Sequence, residues 1–306
     1  METCALLQGF HQRAVTQLAF SANGATLTSI GCDDNHSIAV YDWASGMLKA
    51  SAKGDRASML DCKFTPGSNT SFVTTGVKTI RFWSMQGRNL SSKKGLVVGG
   101  KVKGKVQAFV SVGFVGSDAV VGTGGGELYV FRSQKLVRVV PGAHVGPINC
   151  CCETPAGGLI TAGKDGNCIE WGVALVAEKT HSVGKVVSAV ALGGDGATLL
   201  VGTAGSKVLE LEYSGKDAQP VVHVQGHCKD ELWGLAAHPT QEEYCTAGDD
   251  HMLRLWSVRD REMIAGGDIG GMARACAYSP DGSLIAVGMG GSVGRGKQKC
   301  DGVLKA

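Results

Sequence analysis

The sequence predicts an all-β protein, a β-propeller, and three observations support this prediction. First, six apolar segments end in a bulky residue and then turn polar, at intervals of roughly 40 to 48 residues, as propeller blades with Trp-Asp-like strand ends do. Second, 46 glycines against 7 prolines indicate many tight turns. Third, two repeats share one spacing of His, Thr, Asp and Trp. The six segments are residues 38–43, 80–84, 128–132, 168–172, 208–213 and 253–257.

Each such repeat is predicted to form a four-stranded blade that packs against its neighbours around an axis. We predict one propeller over residues 1–306, with seven blades. Its repeats lie approximately at residues 11–50, 56–90, 105–140, 143–180, 183–224 and 226–267, and a partial seventh at 272–306 is completed by residues 1–9. We expect residues 3–8 to form the outer strand of that last blade, since closure hides two sheet edges. The alternative is an incomplete ring from a tandem-propeller fragment.

Composition excludes several classes of protein. Charged residues make up 19% of the chain, and the net charge of +3 is too small to predict a nucleic-acid partner. No basic start precedes a long apolar run, and no stretch approaches the length of a membrane-spanning helix, so we expect neither secretion nor a membrane. The eleven cysteines include no Cys-x-x-Cys pair, which indicates reduced, mostly buried thiols of the cytosol.

The clearest repeat runs over residues 226–259. After Gly226 and His227 it contains three apolar groups, at residues 232–239, 244–250 and 252–257. Each group is short and alternating or continuously apolar, as strands in a sheet covered on both faces are. Gly and Asp between the second and third groups predict a hairpin turn, because both tolerate a left-handed backbone.

Two repeats carry the same polar residues at the same spacing. Asp165 and Asp250 each lie six residues before a Trp and four residues after a Thr, and a His opens each repeat. We predict an internal hydrogen-bonded network around the turn Asp in each blade, which satisfies buried donors and is structural, not catalytic. Its members are His144, Thr161, Asp165 and Trp171 in one repeat, and His227, Thr246, Asp250 and Trp256 in the other.

The other repeats depart from this pattern. Residues 56–90 keep Phe82 and Trp83 but place Val77 where the Asp would lie. Residues 105–140 place Phe131 at the Trp position, and residues 183–224 have no aromatic residue there and rely on a Gly-Ser turn. Residues 11–50 have Tyr41 followed by Asp in place of Trp-Asp. These four repeats therefore match the blade pattern more weakly.

Two further patterns suggest chemistry and fail on their details. Residues 291–297 have the spacing of a phosphate-binding loop, but Gln298 stands where a Ser or Thr must coordinate magnesium. His223, His227, Cys228 and His238 lack the spacing of a tetrahedral zinc site, and His227 already belongs to the blade network. We expect no catalytic residue, no cofactor and no metal.

Three blocks of sequence resemble repeats of the echinoderm microtubule-associated protein-like family of WD-repeat propellers. They are residues 226–239 with 246–256, residues 13–21 with 32–43, and residues 77–95. The blocks occur in the order that the family has, and the similarity extends over nearly the whole chain. By this resemblance the chain lacks the motif-rich segment before the first blade, the coiled coil and most of a second propeller, and residues 272–306 would align with the start of that second propeller.

The resemblance implies a protein without enzymatic activity that binds tubulin or microtubules, in the cytoplasm and cytoskeleton or in a cilium or flagellum. Tubulin or axonemal proteins are the expected partners, and nucleic acid and membranes are not. Residues 91–106 hold five lysines and no acidic residue, which suits attraction to the acidic surface of tubulin. The alternative for this segment is a solvated connector.

We predict the binding surface on one face of the ring, where the loops between blades and the turns between second and third strands meet. Trp233 is the candidate aromatic anchor, because Trp and Arg dominate interaction hot spots, with packing between blades as the alternative. The candidate residues are Asn35, His36, Lys101, Lys103, Lys105, Lys164, Glu231, Trp233, His251, Arg295, Lys297 and Lys299.

Two other functions remain as alternatives. An adaptor such as a ubiquitin-ligase substrate receptor is suggested by residues 256–259, which resemble a Trp-Asp-x-Arg box except that Ser257 replaces the Asp. A propeller enzyme would need convergent carboxylates or a metal in the central channel, and no spacing in the sequence predicts either.

Overall fold

A computed structural model describes residues 5–98, 100–194, 196–212, 220–228, 231–292 and 299–305. The described residues form 27 β-strands and no helix, so none of them builds a helix that could cross a membrane. The all-β prediction is confirmed. The chain divides into two compact units, one within residues 1–201 and 211–218, the other within residues 202–210 and 219–306.

The first unit contains four sheets, each built from four consecutive antiparallel strands. The first sheet has β1 (Val15–Phe20), β2 (Thr26–Gly31), β3 (Ile38–Asp42) and β4 (Met47–Ala52). The second has β5 (Met59–Phe64), β6 (Ser71–Gly76), β7 (Thr79–Gln86) and β8 (Asn89–Lys94). The third has β9 (Phe109–Val115), β10 (Asp118–Thr123), β11 (Leu128–Arg132) and β12 (Lys135–Val140). The fourth has β13 (Ile148–Glu153), β14 (Leu159–Gly163), β15 (Asn167–Trp171) and β16 (Ala177–Ser182).

The remaining sheets continue the same order. The fifth has β17 (Val187–Leu192), β18 (Thr198–Thr203), β19 (Lys207–Glu212) and β20 (Val221–Gln225), and the division between the units falls within it. The sixth has β21 (Leu232–Ala237), β22 (Glu243–Gly248), β23 (Met252–Ser257) and β24 (Met263–Asp268). The last sheet has three described strands, β25 (Ala273–Tyr278), β26 (Ile285–Ser292) and β27 (Lys299–Lys305).

Strand position within a sheet decides burial. The second strands β2, β6, β10 and β14 are buried along nearly their whole length, which explains their continuous apolar and small residues. The fourth strands β4, β8, β12 and β16 expose much of their length and carry Lys, Arg and Ser. In the first unit the first strands pack in succession, β1 on β5, β5 on β9, β9 on β13 and β13 on β17. Packing through first strands is the arrangement of propeller blades.

The hydrophobic core lies between neighbouring sheets. Ile38 and Val40 of the first sheet pack with Phe72 and Trp83 of the second. A second cluster joins Val73 and Ile80 to the third sheet, and a third joins that sheet to Leu159 and Trp171 of the fourth. In the second unit, Ala247 of the sixth sheet packs with Ala273, Val287 and Met289 of the last. Within each unit, the sheets in these clusters are therefore stabilised by their neighbours, as the repeat pattern predicts.

The predicted closing strand is not formed by the described residues. Residues 5–8 contain no strand, and the described strands of the last sheet are β25, β26 and β27. Residues 3 and 4 lie outside the described part of the chain. The number of blades, the closure of a ring and the extent of a single propeller stay predictions.

Candidate functional site

The fourth sheet contains a chain of four hydrogen-bonded side chains. The indole N–H of Trp171 donates to Thr161 Oγ1 at 2.8 Å, and that hydroxyl lies 2.8 Å from His144 Nε2. His144 Nδ1 lies 3.0 Å from both carboxylate oxygens of Asp165. Because indole only donates and a carboxylate only accepts, the Thr161 hydroxyl donates to Nε2 and the Nδ1–H donates to Asp165. The structure brings together the four residues that the spacing grouped.

Asp165 fastens two pieces of backbone to this network. Its carboxylate accepts the N–H of Val145, in the loop that enters the sheet, at 3.0 Å and the N–H of Asn167, beyond the turn, at 3.2 Å. Burial alone would raise the pKa of this carboxyl, but the hydrogen bonds from His144 and from the two amides outweigh it and lower the pKa. The network fixes the entering loop against the turn between β14 and β15.

The sixth sheet repeats the network and adds a cation. Trp256 donates to Thr246 Oγ1 at 2.7 Å, and His227 contacts both Thr246 Oγ1 and Asp250 Oδ1 at 2.8 Å. Arg254, whose side chain is 2% exposed, donates to Asp250 Oδ2 at 2.8 Å. Burial opposes ionisation of Asp250, but hydrogen bonds from His227 and Arg254 prevail and its pKa is lowered.

The first sheet holds a variant of the network that the sequence pattern did not identify. His11 Nε2 lies 2.7 Å from Ser29 Oγ, and His11 Nδ1 lies 3.2 Å from Ser37 Oγ. Ser37 in turn donates to Asp33. Ser29 lies four residues before Asp33, the same spacing as Thr161 and Asp165, so allowing Ser in place of Thr would have revealed this member.

In the second sheet the carboxylate comes from the loop that enters the sheet, where the fourth and sixth sheets have a His, and the basic side chain comes from the third strand. Asp55, in the loop that enters the sheet, accepts from Arg81 Nη2 at 3.0 Å and from the Thr79 hydroxyl at 3.1 Å. Trp83 donates to Thr74 Oγ1 at 2.9 Å. This blade has no Asp in its turn, as predicted. Asp55 supplies the carboxylate from the loop before β5 instead. No fixed spacing within the repeat signals such an exchange.

In the third sheet the corresponding contact is made by the side-chain amide of Gln107 and the carboxylate of Glu127, in place of His and Asp. Gln107 donates to Glu127 at 2.6 Å and accepts the N–H of Gly125 at 3.0 Å. In five of the seven sheets, such networks connect the loop that enters the sheet to the region where the second strand turns into the third. Both ring nitrogens of His144 and His227 are engaged within these networks, which leaves neither imidazole free for proton transfer to a substrate.

A second set of polar contacts joins the first strands β5, β9 and β13 of three neighbouring sheets. Asp61 on β5 accepts the N–H of Val112 at 2.8 Å, and Glu153 on β13 accepts the N–H of Phe114 at 3.0 Å. Lys63 donates to Glu153 at 2.8 Å. Burial raises the pKa of Asp61, whereas Glu153 outweighs burial and raises the pKa of Lys63. These carboxylates satisfy the amides on the free edge of β9 and so join three neighbouring sheets.

The predicted binding residues of the first unit occupy loops and turns. Asn35 and Lys164 are exposed in equivalent turns, between β2 and β3 and between β14 and β15. His36 is half-buried, has a φ of 44°, and its Nδ1 lies 2.9 Å from the Asp55 carbonyl oxygen. It therefore supports the loop entering the second sheet. The basic members of the connection between the second and third sheets are exposed, namely Lys101, Lys103 and Lys105.

The predicted residues of the second unit surround an ion pair. Glu231 is exposed just before β21, and His251 is half-buried in the turn between β22 and β23 with a φ of 65°. Trp233 is 51% exposed, and its indole N–H donates to Asp249 Oδ2 at 3.2 Å. The Arg274 guanidinium lies 5.0 Å from the Trp233 ring centroid and 2.6 Å from Asp249 Oδ1. Trp233 is thus supported on one face and open on another.

Some predicted residues cannot be placed. Arg295 and Lys297, with most of the phosphate-loop pattern, lie outside the described residues. Lys299 begins β27, and its side chain lies outside the described part.

Cys150 and Cys168 are free thiols, and burial raises the pKa of each. No three His, Cys, Asp or Glu side chains of the described residues converge as metal ligands would.

Repeated four-stranded sheets, packed through their first strands and braced by His-Thr-Asp-Trp networks, define a WD-repeat β-propeller protein. Comparison with known families agrees: residues 1–211 match the family described as "Echinoderm microtubule-associated protein first beta-propeller", and residues 218–257 match "WD domain, G-beta repeat". The chain belongs to the echinoderm microtubule-associated protein family, as the three sequence blocks indicated.

Relatives in several animals are similar over most of this chain. Mouse echinoderm microtubule-associated protein-like 2 is 32% identical over 92% of the chain, which corresponds to 43% of the relative. Human echinoderm microtubule-associated protein-like 1 is 30% identical over 92% of the chain and 34% of its own length. The 77 kDa echinoderm microtubule-associated protein of Lytechinus variegatus is 28% identical over 92% and 42%. The chain thus spans less than half of the relatives it matches, and neither comparison indicates an enzyme family.

Proposed function

We propose that this chain is a non-enzymatic interaction module that binds microtubules. The observation that carries the proposal is the family match over residues 1–211, together with relatives that are named as microtubule-associated proteins. The geometry supports it, because the blade networks hold rigid loops at one end of the sheets and rigid loops lose little entropy on binding.

The proposed attraction comes from the connection between the second and third sheets. Lys101, Lys103 and Lys105 are exposed, and none of the ion pairs within the described residues includes them. Three unpaired cations on one short segment suit the acidic exterior of tubulin, and contacts of this kind raise association rates more than they raise affinity. Binding should therefore weaken as salt is added.

Within the second unit, Trp233 is the proposed aromatic contact. Its ring is half exposed while Arg274 and Asp249 hold its orientation, so little side-chain freedom remains to be lost on binding. The proposed location is the cytoplasm and cytoskeleton, with a cilium or flagellum as a more specific site and axonemal proteins as further partners. Binding of nucleic acid or membranes is not proposed.

Co-sedimentation with stabilised microtubules tests this function. The purified chain should appear in the pellet in proportion to polymer concentration at low salt and return to the supernatant as salt rises. A chain that stays in the supernatant at low salt, with its folding verified by circular dichroism, would refute direct microtubule binding and leave the scaffold and adaptor hypotheses.

A further inference from the structure

A groove in the first unit lies between residues 96–98 and 100–102 on one side and the start of β12 on the other. Its volume is about 640 Å³, within the range of ligand sites in proteins. The lining combines aliphatic side chains with two lysines. The side chains that the argument uses are Leu96, Val98, Lys101, Lys135 and Val137.

We propose that this groove binds an extended acidic peptide segment that carries an aliphatic residue. The proposal goes beyond microtubule binding, because it assigns a pocket for an apolar side chain and holds for a partner other than tubulin. It rests on three observations: exposed aliphatic side chains, unpaired cations and a rigid frame.

Three aliphatic side chains of the lining are partly exposed to solvent. Leu96 is 53% exposed, Val98 66% and Val137 37%. A neighbouring cavity of about 480 Å³ also contacts Leu96 and Val98 on the other side of the segment. A groove that combines aliphatic side chains with a few polar groups has the composition of binding sites in proteins.

The lysines that line the groove have no acidic side chain beside them. Lys101 and Lys135 line the groove, and Lys103 follows on the same segment. No acidic side chain lines the groove, and none of the ion pairs among the described residues uses these lysines. A cationic rim around an apolar floor complements a ligand with carboxylates flanking an aliphatic side chain, whereas a nucleic acid would leave the floor uncovered.

The frame of the groove is fixed by backbone hydrogen bonds. Leu96 N–H donates to the Gln134 carbonyl at 2.6 Å, and Leu136 N–H donates to the Leu96 carbonyl at 3.2 Å. At the other end, Gly104 N–H donates to the Val97 carbonyl at 3.2 Å and Lys105 N–H donates to the Tyr129 hydroxyl at 2.8 Å. The groove is therefore present before a ligand arrives, which reduces the entropy lost on binding.

A glycine explains why the segment can lie so close to the third sheet. A Cβ on Gly104 would lie 2.7 Å from Leu136 Cδ2 and 2.8 Å from Tyr129 Cε2, so these side chains would have to move to accept it. Gly104 thus permits the segment to cover the outer edge of the sheet and form one wall of the groove.

Fluorescence anisotropy with short synthetic peptides tests the proposal without tubulin. A labelled peptide of alternating glutamate and leucine should bind, a glutamine version should lose the charge contribution, and a version with serine for leucine should lose the apolar contribution. Each change should weaken binding by about tenfold or more, equivalent to 1.4 kcal/mol per tenfold. Equal binding of all three peptides would overturn the proposal.

Matched variants locate the site. Lys101→Glu with Lys135→Glu, and separately Val137→Asp, should each abolish peptide binding, while Lys53→Glu and Val173→Asp, at exposed positions elsewhere in the unit, should leave it unchanged. All four proteins should keep the wild-type melting temperature. Binding that survives the groove variants would refute the assignment.

Two other occupants give distinct results. Tighter binding of a single-stranded oligonucleotide than of the acidic peptide would assign the groove to nucleic acid. A concentration-dependent dimer by light scattering that Val137→Asp dissociates would assign it to a second copy of this chain. Either result overturns the peptide assignment. Because Val137→Asp leaves Lys101, Lys103 and Lys105 unchanged, its sedimentation with microtubules reports separately on the proposed function.

Discussion

Arg274 lies over the indole ring of Trp233, with Cζ 5.0 Å from the ring centroid. The Asp249 carboxylate accepts the indole N–H and forms an ion pair with Arg274. Trp233 and Arg274 come from β21 and β25, the first strands of neighbouring sheets. A cation held over an aromatic ring by a buried carboxylate is a rigid arrangement, yet half of the Trp233 surface faces solvent. Trp233 therefore contacts the neighbouring sheet through Arg274 and still exposes half of its surface to solvent.

A double-mutant cycle measures the contact. Trp233→Ala and Arg274→Ala, made singly and together, should give a coupling energy of about 0.5 to 1 kcal/mol in urea unfolding, as exposed cation–π pairs do. Trp233→Phe keeps the ring and should retain most of the coupling. Additive single and double variants would show that the stacking contributes nothing to stability.

Thr161 is the central member of its network, and its loss should destabilise the fourth sheet. Thr161→Val keeps the shape but leaves the Trp171 N–H and His144 Nε2 without partners in the interior, which should cost about 1 to 3 kcal/mol. Urea unfolding at pH 7 measures the change. Thr70→Val, at an exposed position, is the control and should change stability by less than about 0.5 kcal/mol.

Stability should fall in acid because of Asp165. The folded state lowers its pKa below the ordinary value of 3.8, so its contribution is present above that value and is lost as pH falls further. Urea unfolding at several pH values should show less acid dependence in Asp165→Asn than in the wild type. An unchanged slope would mean that Asp165 has the same pKa in the folded and unfolded states.

Asp61 should behave in the opposite sense. Burial raises its pKa, so its proton stabilises the folded state at low pH and that contribution is lost as pH rises through the raised value. Asp61→Asn should remove this loss, while its amide oxygen still accepts the Val112 N–H. The same unfolding series, extended upward from pH 4, tests it. A variant that becomes less stable relative to wild type as pH rises would contradict the assignment.

Gly126→Ala should destabilise the contact between the third and fourth sheets. Gly126 has a φ of 89°, and a Cβ there would lie 2.1 Å from the His144 carbonyl oxygen. Gly116→Ala is the matched control, since its φ is 59° and no atom lies within 4 Å of the added carbon. Backbone strain alone should cost about 1 kcal/mol in the control, and the clash should make Gly126→Ala clearly worse in thermal unfolding.

Charge reversal in the basic connection should weaken microtubule binding. Replacing Lys101, Lys103 and Lys105 by Glu should lower the sedimented fraction and flatten its salt dependence, because exposed charges are screened within about 8 Å at physiological ionic strength. The melting temperature should not change, since these side chains are exposed. Full sedimentation of the triple variant would remove this segment from the interface.

Several features of the fold could be predicted from the chain alone because they repeat. Strand segments such as residues 253–257 recur at blade intervals. The spacing of Thr, Asp and Trp in the sequence also grouped Thr161 with Trp171, which the structure shows hydrogen-bonded. Periodicity reports local strand formation and the direction of side chains, which depend on neighbouring residues. It identified the class of fold and two networks.

Tertiary structure alone decided the rest. Asp55 reaches Arg81 across 26 positions of sequence, and Lys63 reaches Glu153 across 90, so their pairing depends on how sheets pack and no periodic pattern signals it. The groove of Leu96 and Val137 likewise exists only because Leu96 is hydrogen-bonded to Leu136 of β12 and to Gln134 beside it. The repeats determine which segments form strands. The contacts between residues distant in sequence depend on how the sheets pack, and loop closure and burial select one packing of the sheets.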